Sequence, residues 1–191
     1  ALPMVRDTFS LTADLTAWID VSFTLPFMLF MPVYGRLGDG LGARRLLLAG
    51  IALFTLGTAL VLNASTMPHL LVGRTVQGIG LAGMTPLSIG LIASLFPPQT
   101  RGQTMGTWST VGPTTGFLGP LAAGLLVGIW GWQAAFAPSL VCGFIAFVVV
   151  YHLIPARTHS AQTNSIALLR TFDWRGMLLL AAAASSLVFY L

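Results

Sequence analysis

Two ionisable side chains stand inside stretches that are otherwise free of charge, and the chemistry open to them is ion pairing or proton transfer. Arg74 lies in Leu70-Leu71-Val72-Gly73-Arg74-Thr75-Val76-Gln77-Gly78, and Asp20 lies in Trp18-Ile19-Asp20-Val21-Ser22. Each sits about five residues inside the edge of its apolar run, which is about 7 Å deep at the helical rise per residue. A charge near the middle of a membrane helix costs about 2.5–3.5 kcal/mol on insertion scales, so an arginine there is a functional candidate. The alternative is a side chain that snorkels to the surface. Gln77 follows Arg74 at i+3, on the same helix face and ready to hydrogen-bond. If Asp20 pairs with Arg74 or shares a wet route with it, it can take up a proton as it leaves the arginine's field. Otherwise Asp20 is a hydrated carboxylate at the rim.

Other patterns carry no chemistry. Gly78-Ile-Gly80-Leu-Ala-Gly83 matches GxGxxG, but a dinucleotide loop needs a preceding strand and an acid about 20 residues on. Here the segment lies in a long apolar run, and it reads as a closely packed helix face. His69, His152 and His159 are scattered, Cys142 is the single cysteine, and no nucleophile–base arrangement occurs. No catalytic residue, metal site or cofactor is expected. The sequon at Asn63 falls in a short loop and reads as unused.

Composition says where these groups must sit. The chain has 191 residues, 55% hydrophobic, with nine arginines, no lysine, five aspartates and no glutamate. Its 7% charged residues, against about 25% in soluble domains, cannot cover a globular surface. The arginines form no face, so the basic balance does not point to nucleic acid. Apolar runs at about 15–34, 46–62, 70–96, 104–130, 134–154 and 177–191 are each read as a membrane helix or, for the last, its beginning. The fold class is all-α and polytopic. Residues 1–154 form a helical bundle, 155–174 a polar linker, possessing some amphipathic character, and 175–191 the start of a further span.

Arg36, Arg44, Arg45, Arg101, Arg157, Arg170 and Arg175 fall in alternate connections, while 63–69 and 128–133 carry none. The positive-inside rule makes the arginine-bearing side cytoplasmic and the bundle a multi-pass protein of the cytoplasmic membrane. Trp18, Trp130, Trp132 and Trp174 fall at span ends, where amphipathic rings are favoured. An outward-facing start, without an initiator Met, leads us to expect a piece of a longer protein with at least one span upstream.

Two further segments stand out. In the turn 35–45, glycines surround Asp39 with Arg36, Arg44 and Arg45. A carboxylate there is able to cap a partner helix and pair with arginines only when two halves close, which biases a conformational equilibrium. The competing role for the arginines is topology alone. In the fourth span, Gly112, Gly116, Pro120, Gly124 and Gly128 recur every four residues, leaving a stripe without bulky side chains. Pro113 and Pro120 are expected to bend that helix, with Gly119 beside the second. A bent, smooth helix suits a rocking interface; static packing is the other option. Pro26 and Pro32 in the first span and Pro86 in the third are expected to add bends. Thr85, Ser88, Ser109, Thr110, Thr114 and Thr115 either line a cavity or satisfy backbone.

These residues together resemble the major facilitator superfamily, and within it the drug:proton antiporters with 14 spans. The turn is similar to the family's signature between helices 2 and 3 at Gly35, Leu37, Gly38, Asp39, Gly42, Arg44 and Arg45, while Gly40 departs from a position that is usually basic. Arg74, Gln77 and Gly78 resemble the helix 4 motif of proton-coupled members, and Gly119, Pro120 and Gly124 the antiporter motif of helix 5, where Ala123 replaces a usual glycine. The resemblance implies family helices 2 to 6, the start of helix 7 and an absent helix 1, which often carries the membrane-embedded acid. It implies that Arg74 takes part in proton coupling, to which position and spacing add Asp20 and Gln77. It implies that Gly35, Arg36, Gly38, Asp39, Gly42, Arg44 and Arg45 form a latch, and that Gly112, Pro113, Gly116, Gly119, Pro120 and Gly124 form the antiporter motif. The function expected is proton-coupled efflux of drugs or other amphiphilic, often cationic, compounds by alternating access. Partners would be the lipid bilayer, protons, a C-terminal half and an accessory periplasmic adaptor. A solute:proton symporter and a non-transporting scaffold or sensor remain alternatives. For the topology, a cysteine placed at Ser65 in a Cys142→Ser background is expected to react with an impermeant maleimide on intact cells, and one at Arg45 only after lysis. The opposite labelling pattern would invert the orientation.

Overall fold

The computed structural model describes residues 13–154, together with Gly176 and Leu179. The expected linker at 155–174, Trp174 and the helix starting at 175 lie outside the described residues, those two positions apart. Helices α1 (Ala13–Leu41), α2 (Ala43–Leu62), α3 (Met67–Ala82), α4 (Met84–Leu95), α5 (Pro98–Trp130) and α6 (Ala137–Leu153) follow in order, with a 3₁₀ turn at Trp132–Ala135 before the last. Five segments are long and apolar enough to cross a membrane, α3 and α4 together making one of them. No strand occurs among the described residues. In a bilayer only such self-satisfied backbones are stable.

The starts of the helices are written locally. Pro68, Pro98 and Pro138 stand in the first turns of α3, α5 and α6, where the missing N–H has no helical partner to lose. The interruption between α3 and α4 lies at Gly83. Pro86, one turn on, cannot donate to Ala82, and the backbone resumes with Leu87 N–H donating to Gly83 O at 3.1 Å. Thus the bend expected at Pro86 falls three residues before it. By contrast α5 runs through Pro113 and Pro120 without interruption. The hydroxyls of Ser109, Thr110, Thr114 and Thr115 donate to carbonyls of their own helix, so they satisfy backbone there.

The first turn also departs from expectation. Helix α1 continues seven residues past Tyr34, through the glycines of the motif, to Leu41, about 10 Å further along the axis. The reversal is confined to Gly42, whose φ of +89° is a conformation only glycine adopts without strain.

Helices α2 and α3 make the most extensive contact, followed by α1 with α3 and α2 with α6. The antiparallel α2–α3 register is set by two pairs of glycines. A Cβ on Gly50 would meet Gly80 O at 2.8 Å, and one on Gly57 would meet Gly73 O at 2.9 Å. In each helix the two glycines are seven residues apart, two turns along one face. On its other side α3 presses Gly78 against the backbone carbonyl of Phe23 in α1, while Gly83 lies under the ring of Tyr34. The GxGxxG segment is therefore a packing surface used against two helices at once.

Two apolar clusters close the ends of the bundle. Ile19, Val61, Ala64, Leu70 and Trp132 form one; Tyr34, Leu47, Ile51, Ala82 and Leu87 form the other, at the end bearing Arg44. Trp132 is buried, edge-on to Phe136, so it is a core plug where an interfacial ring was expected. Trp18 and Trp130 are exposed.

Adding a side chain at the α2–α3 contact should separate the helices. Gly80→Val is expected to cost about 3 kcal/mol, at the upper end of ordinary overpacking, seen as a lowered unfolding temperature of the purified protein in detergent. An unchanged unfolding temperature would refute the glycine register.

Candidate functional site

Between the two apolar clusters lies a small polar group centred on Arg74. Its position follows from the glycine register: Gly57 and Gly73 let α2 and α3 touch, which puts Thr58 of α2 opposite Gln77 of α3. Gln77 is 2% exposed and Thr58 is fully buried. Buried polar groups are stable only when their hydrogen bonds are made, and here they are. The Thr58 hydroxyl donates to Phe54 O at 2.8 Å. Gln77 Nε2 donates to Thr58 Oγ1 at 2.8 Å, and Gln77 Oε1 accepts from Arg74 Nη1 at 3.1 Å.

The rest of the guanidinium is shared between α1 and the 3₁₀ turn region. Arg74 Nε donates to Ile19 O at 3.4 Å. Nη2 stands 3.8 Å from Asp20 Oδ1, in an ion pair whose arginine side chain is 14% exposed and whose aspartate side chain is 60% exposed. The guanidinium carbon lies 4.4 Å from the ring centre of Phe23 and 5.7 Å from that of Phe136. Rings at this range attract a cation, the more so where water is thin. The structure thus brings Arg74, Gln77 and Asp20 together, with the arginine held inside and the acid facing out.

Phe23, Phe136 and Thr58 were not singled out from the sequence. Phe23 is three residues beyond Asp20, so helical spacing places it on the acid's face. Thr58 and Phe136 gave no local signal, because only the packing of α2 and the chain reversal at Gly131 bring them near.

The side chain of Asp39 lies outside those described, and the other motif residues do not join this group. Gly38 packs toward Leu87 of α4, and Gly35 approaches Pro86. Arg36 and Arg45 are exposed. Arg44 reaches across the bundle: Nη2 donates to Tyr151 O at 2.7 Å, and its guanidinium lies 5.6 Å from the Tyr151 ring centre. It thereby satisfies one of the last carbonyls of α6, where a cation also opposes the helix dipole. Arg101 does likewise for α4, with Nη2 donating to Ala93 O at 2.6 Å. On α5, Gly112, Pro113, Gly116, Gly119, Pro120 and Gly124 are all exposed, and a Cβ at any of these glycines would meet nothing within 4 Å among the described residues. An open groove of about 420 Å³ between α4 and α5, away from Arg74, is lined by Gln103, Thr104, Thr107 and Trp108 with Ile92 and Val111.

The family profile described as Major Facilitator Superfamily matches residues 1–191. The chain belongs to the major facilitator superfamily. Among its relatives, multidrug resistance protein 3 of Bacillus subtilis is 31% identical over 179 residues, covering 93% of this chain and 33% of that protein. Multidrug resistance protein Stp of Mycobacterium tuberculosis is 30% identical over 191 residues, covering 99% of this chain and 34% of that protein. The solved structure titled as an inward open conformation of the xylose transporter XylE from E. coli superposes with a TM-score of 0.73 at 17% identity, over 99% of this chain and 50% of that one. The chain spans about a third of the length of these curated relatives. As a member of the major facilitator superfamily it is a multi-pass membrane protein, all-helical, in a family of transporters and not of enzymes.

In this facilitator bundle, Gln77 is the link between α2 and the arginine. Replacing it by leucine leaves Arg74 Nη1 without its acceptor and Thr58 without its donor. Gln77→Leu is expected to lower stability by about 1–3 kcal/mol, measured by thermal unfolding in detergent. No change would mean that the guanidinium does not depend on the amide.

Proposed function

We propose that this chain supplies one half of a transporter that carries amphiphilic organic compounds outward across the cytoplasmic membrane in exchange for protons. The observation that carries this reading is the arginine held within the bundle by Gln77 and Ile19 O while facing a largely exposed Asp20 at 3.8 Å. Its two partners differ in kind. Gln77 is neutral and buried, so its bond to Arg74 is insensitive to protons. Asp20 is largely exposed on the surface of the bundle, and a proton taken up there cancels the charge that Nη2 faces.

Loss of that attraction frees one edge of the guanidinium and changes the relative energy of conformations in which the pair is open or closed. Substrate and proton compete through this equilibrium, which is the requirement for exchange. The exposed, small-residue face of α5 supports a sliding contact with a second half, and the Gly42 reversal with its neighbouring arginines supports a latch at the arginine-bearing end. The weakly polar, aromatic groove between α4 and α5 suits a bulky amphiphile. The two relatives named for multidrug resistance favour export as the direction.

The test is reconstitution of the full-length protein in liposomes with an imposed pH gradient, following tetraphenylphosphonium movement and lumenal pH together. Arg74→Ala is expected to reduce gradient-driven flux about 10- to 100-fold, within the usual range of coupling energies. Arg74→Lys should recover part of it, since the charge returns without the planar fork. Flux in Arg74→Ala equal to the parent would end the proton-coupling role.

A further inference from the structure

We infer that Thr58 is a positioning residue for Arg74, acting through Gln77 to hold the guanidinium in register with Asp20. The inference deepens the proton-coupling reading and rests on it.

The direction of the hydrogen bonds carries the argument. Thr58 has one O–H, and it is given to Phe54 O of its own helix at 2.8 Å. What remains on Oγ1 is acceptor capacity only, so the group of Gln77 that faces it must be the amide N–H, as observed at 2.8 Å. An amide has two ends. With its NH₂ turned toward Thr58, its carbonyl oxygen is turned toward Arg74, where an acceptor is needed, and it accepts from Nη1 at 3.1 Å. The hydroxyl thus selects the amide orientation that attracts the arginine over the one that would oppose NH₂ to a cation.

The chain is closed to competitors. Thr58 is fully buried and Gln77 is 2% exposed, so water is not at hand to replace either partner. The backbones are fixed at this level by Gly57, on which a Cβ would meet Gln77 N at 2.5 Å. From α1 the charged group facing Arg74 is Asp20, from the 3₁₀ turn and the start of α6 the neighbour is the Phe136 ring, and α2 presents only the Thr58 hydroxyl. On α3 itself, His69 stands one turn and a residue before Arg74. Nη1, the terminal nitrogen that does not face Asp20, is therefore anchored through a neutral relay by way of Gln77 to Thr58, beside the bond from Nε to Ile19 O.

Valine in place of threonine keeps the branched shape and removes the acceptor; serine keeps the hydroxyl and removes a methyl. In the full-length protein in liposomes, Thr58→Val is expected to raise the rate of phenylglyoxal modification of Arg74, followed by mass spectrometry, about fivefold, the factor belonging to one neutral hydrogen bond. Thr58→Ser should modify at the parent rate. In the same vesicles Thr58→Val is expected to lose a similar factor in pH-gradient-driven tetraphenylphosphonium flux while keeping substrate–substrate counterflow, and Thr58→Ser should keep both. An unchanged modification rate in Thr58→Val overturns the inference, as does equal loss of driven flux and counterflow, or a serine variant as impaired as valine. Parent-like driven flux in Thr58→Val beside a defective Arg74→Ala overturns the inference and leaves the coupling reading standing. Parent-like flux in Arg74→Ala ends that reading, and the labelling result then decides the Thr58–Gln77 relay alone.

Discussion

A guanidinium inside an apolar bundle is stable only if its charge and its N–H groups are met from all sides, and this requirement organises the middle of the molecule. Lipid supplies neither countercharge nor acceptors. Three separate pieces of chain therefore converge on Arg74: α1 brings Ile19 O, Asp20 and Phe23, α2 brings Thr58 by way of Gln77, and the segment after α5 brings Phe136. Removing Gln77 or Ile19 O leaves an N–H of the guanidinium without its acceptor. The arginine is thus both the functional candidate and a reason for α1, α2 and α3 to stay in one arrangement.

That arrangement depends on helices approaching more closely than ordinary side chains permit. Between membrane helices the hydrophobic effect offers little net attraction, so contact area and backbone proximity decide association. Glycines at 50, 57, 73, 78 and 80 provide the proximity. The same closeness brings a threonine and a glutamine of moderate length into direct hydrogen bonding. A helix spacing set by larger residues would leave Gln77 and Thr58 apart, and the arginine would lose its neutral anchor. Packing and polar chemistry are one constraint here, seen from two sides.

The arginines at the other end act differently. Arg44 and Arg101 each donate to the carbonyls that end a helix, α6 and α4 respectively. Such caps tie the connection to the bundle and lie where positive charge is already favoured by the helix dipole. Among the described residues, Arg44 and Arg101 thus hold helix ends, whereas Arg74 lies within the bundle and needs a built environment. The α5 face, smooth and exposed among the described residues, belongs to neither arrangement.

Much of this was legible without coordinates. Low charge, apolar runs of spanning length and arginines in alternate connections leave helices as the only stable backbone in a bilayer, and the cost of an intramembrane charge singles out Arg74 and Asp20. Gln77 follows from helical spacing alone, and so does Phe23 once Asp20 is chosen. The glycine pairs 50/57 and 73/80 are also written in the sequence, but their partners are not, since one helix's spacing does not name the helix it will meet. Helix ends were less legible: glycines that suggested an extended turn at 35–45 are carried inside α1, because only Gly42 adopts a backbone that helix geometry forbids. The break placed at Pro86 falls at Gly83, because a proline disrupts the turn before it. Thr58, Phe136 and the burial of Trp132 belonged to the tertiary structure alone. Each depends on which residues separate stretches of chain place side by side, and no local pattern encodes a contact that exists only after the helices have packed.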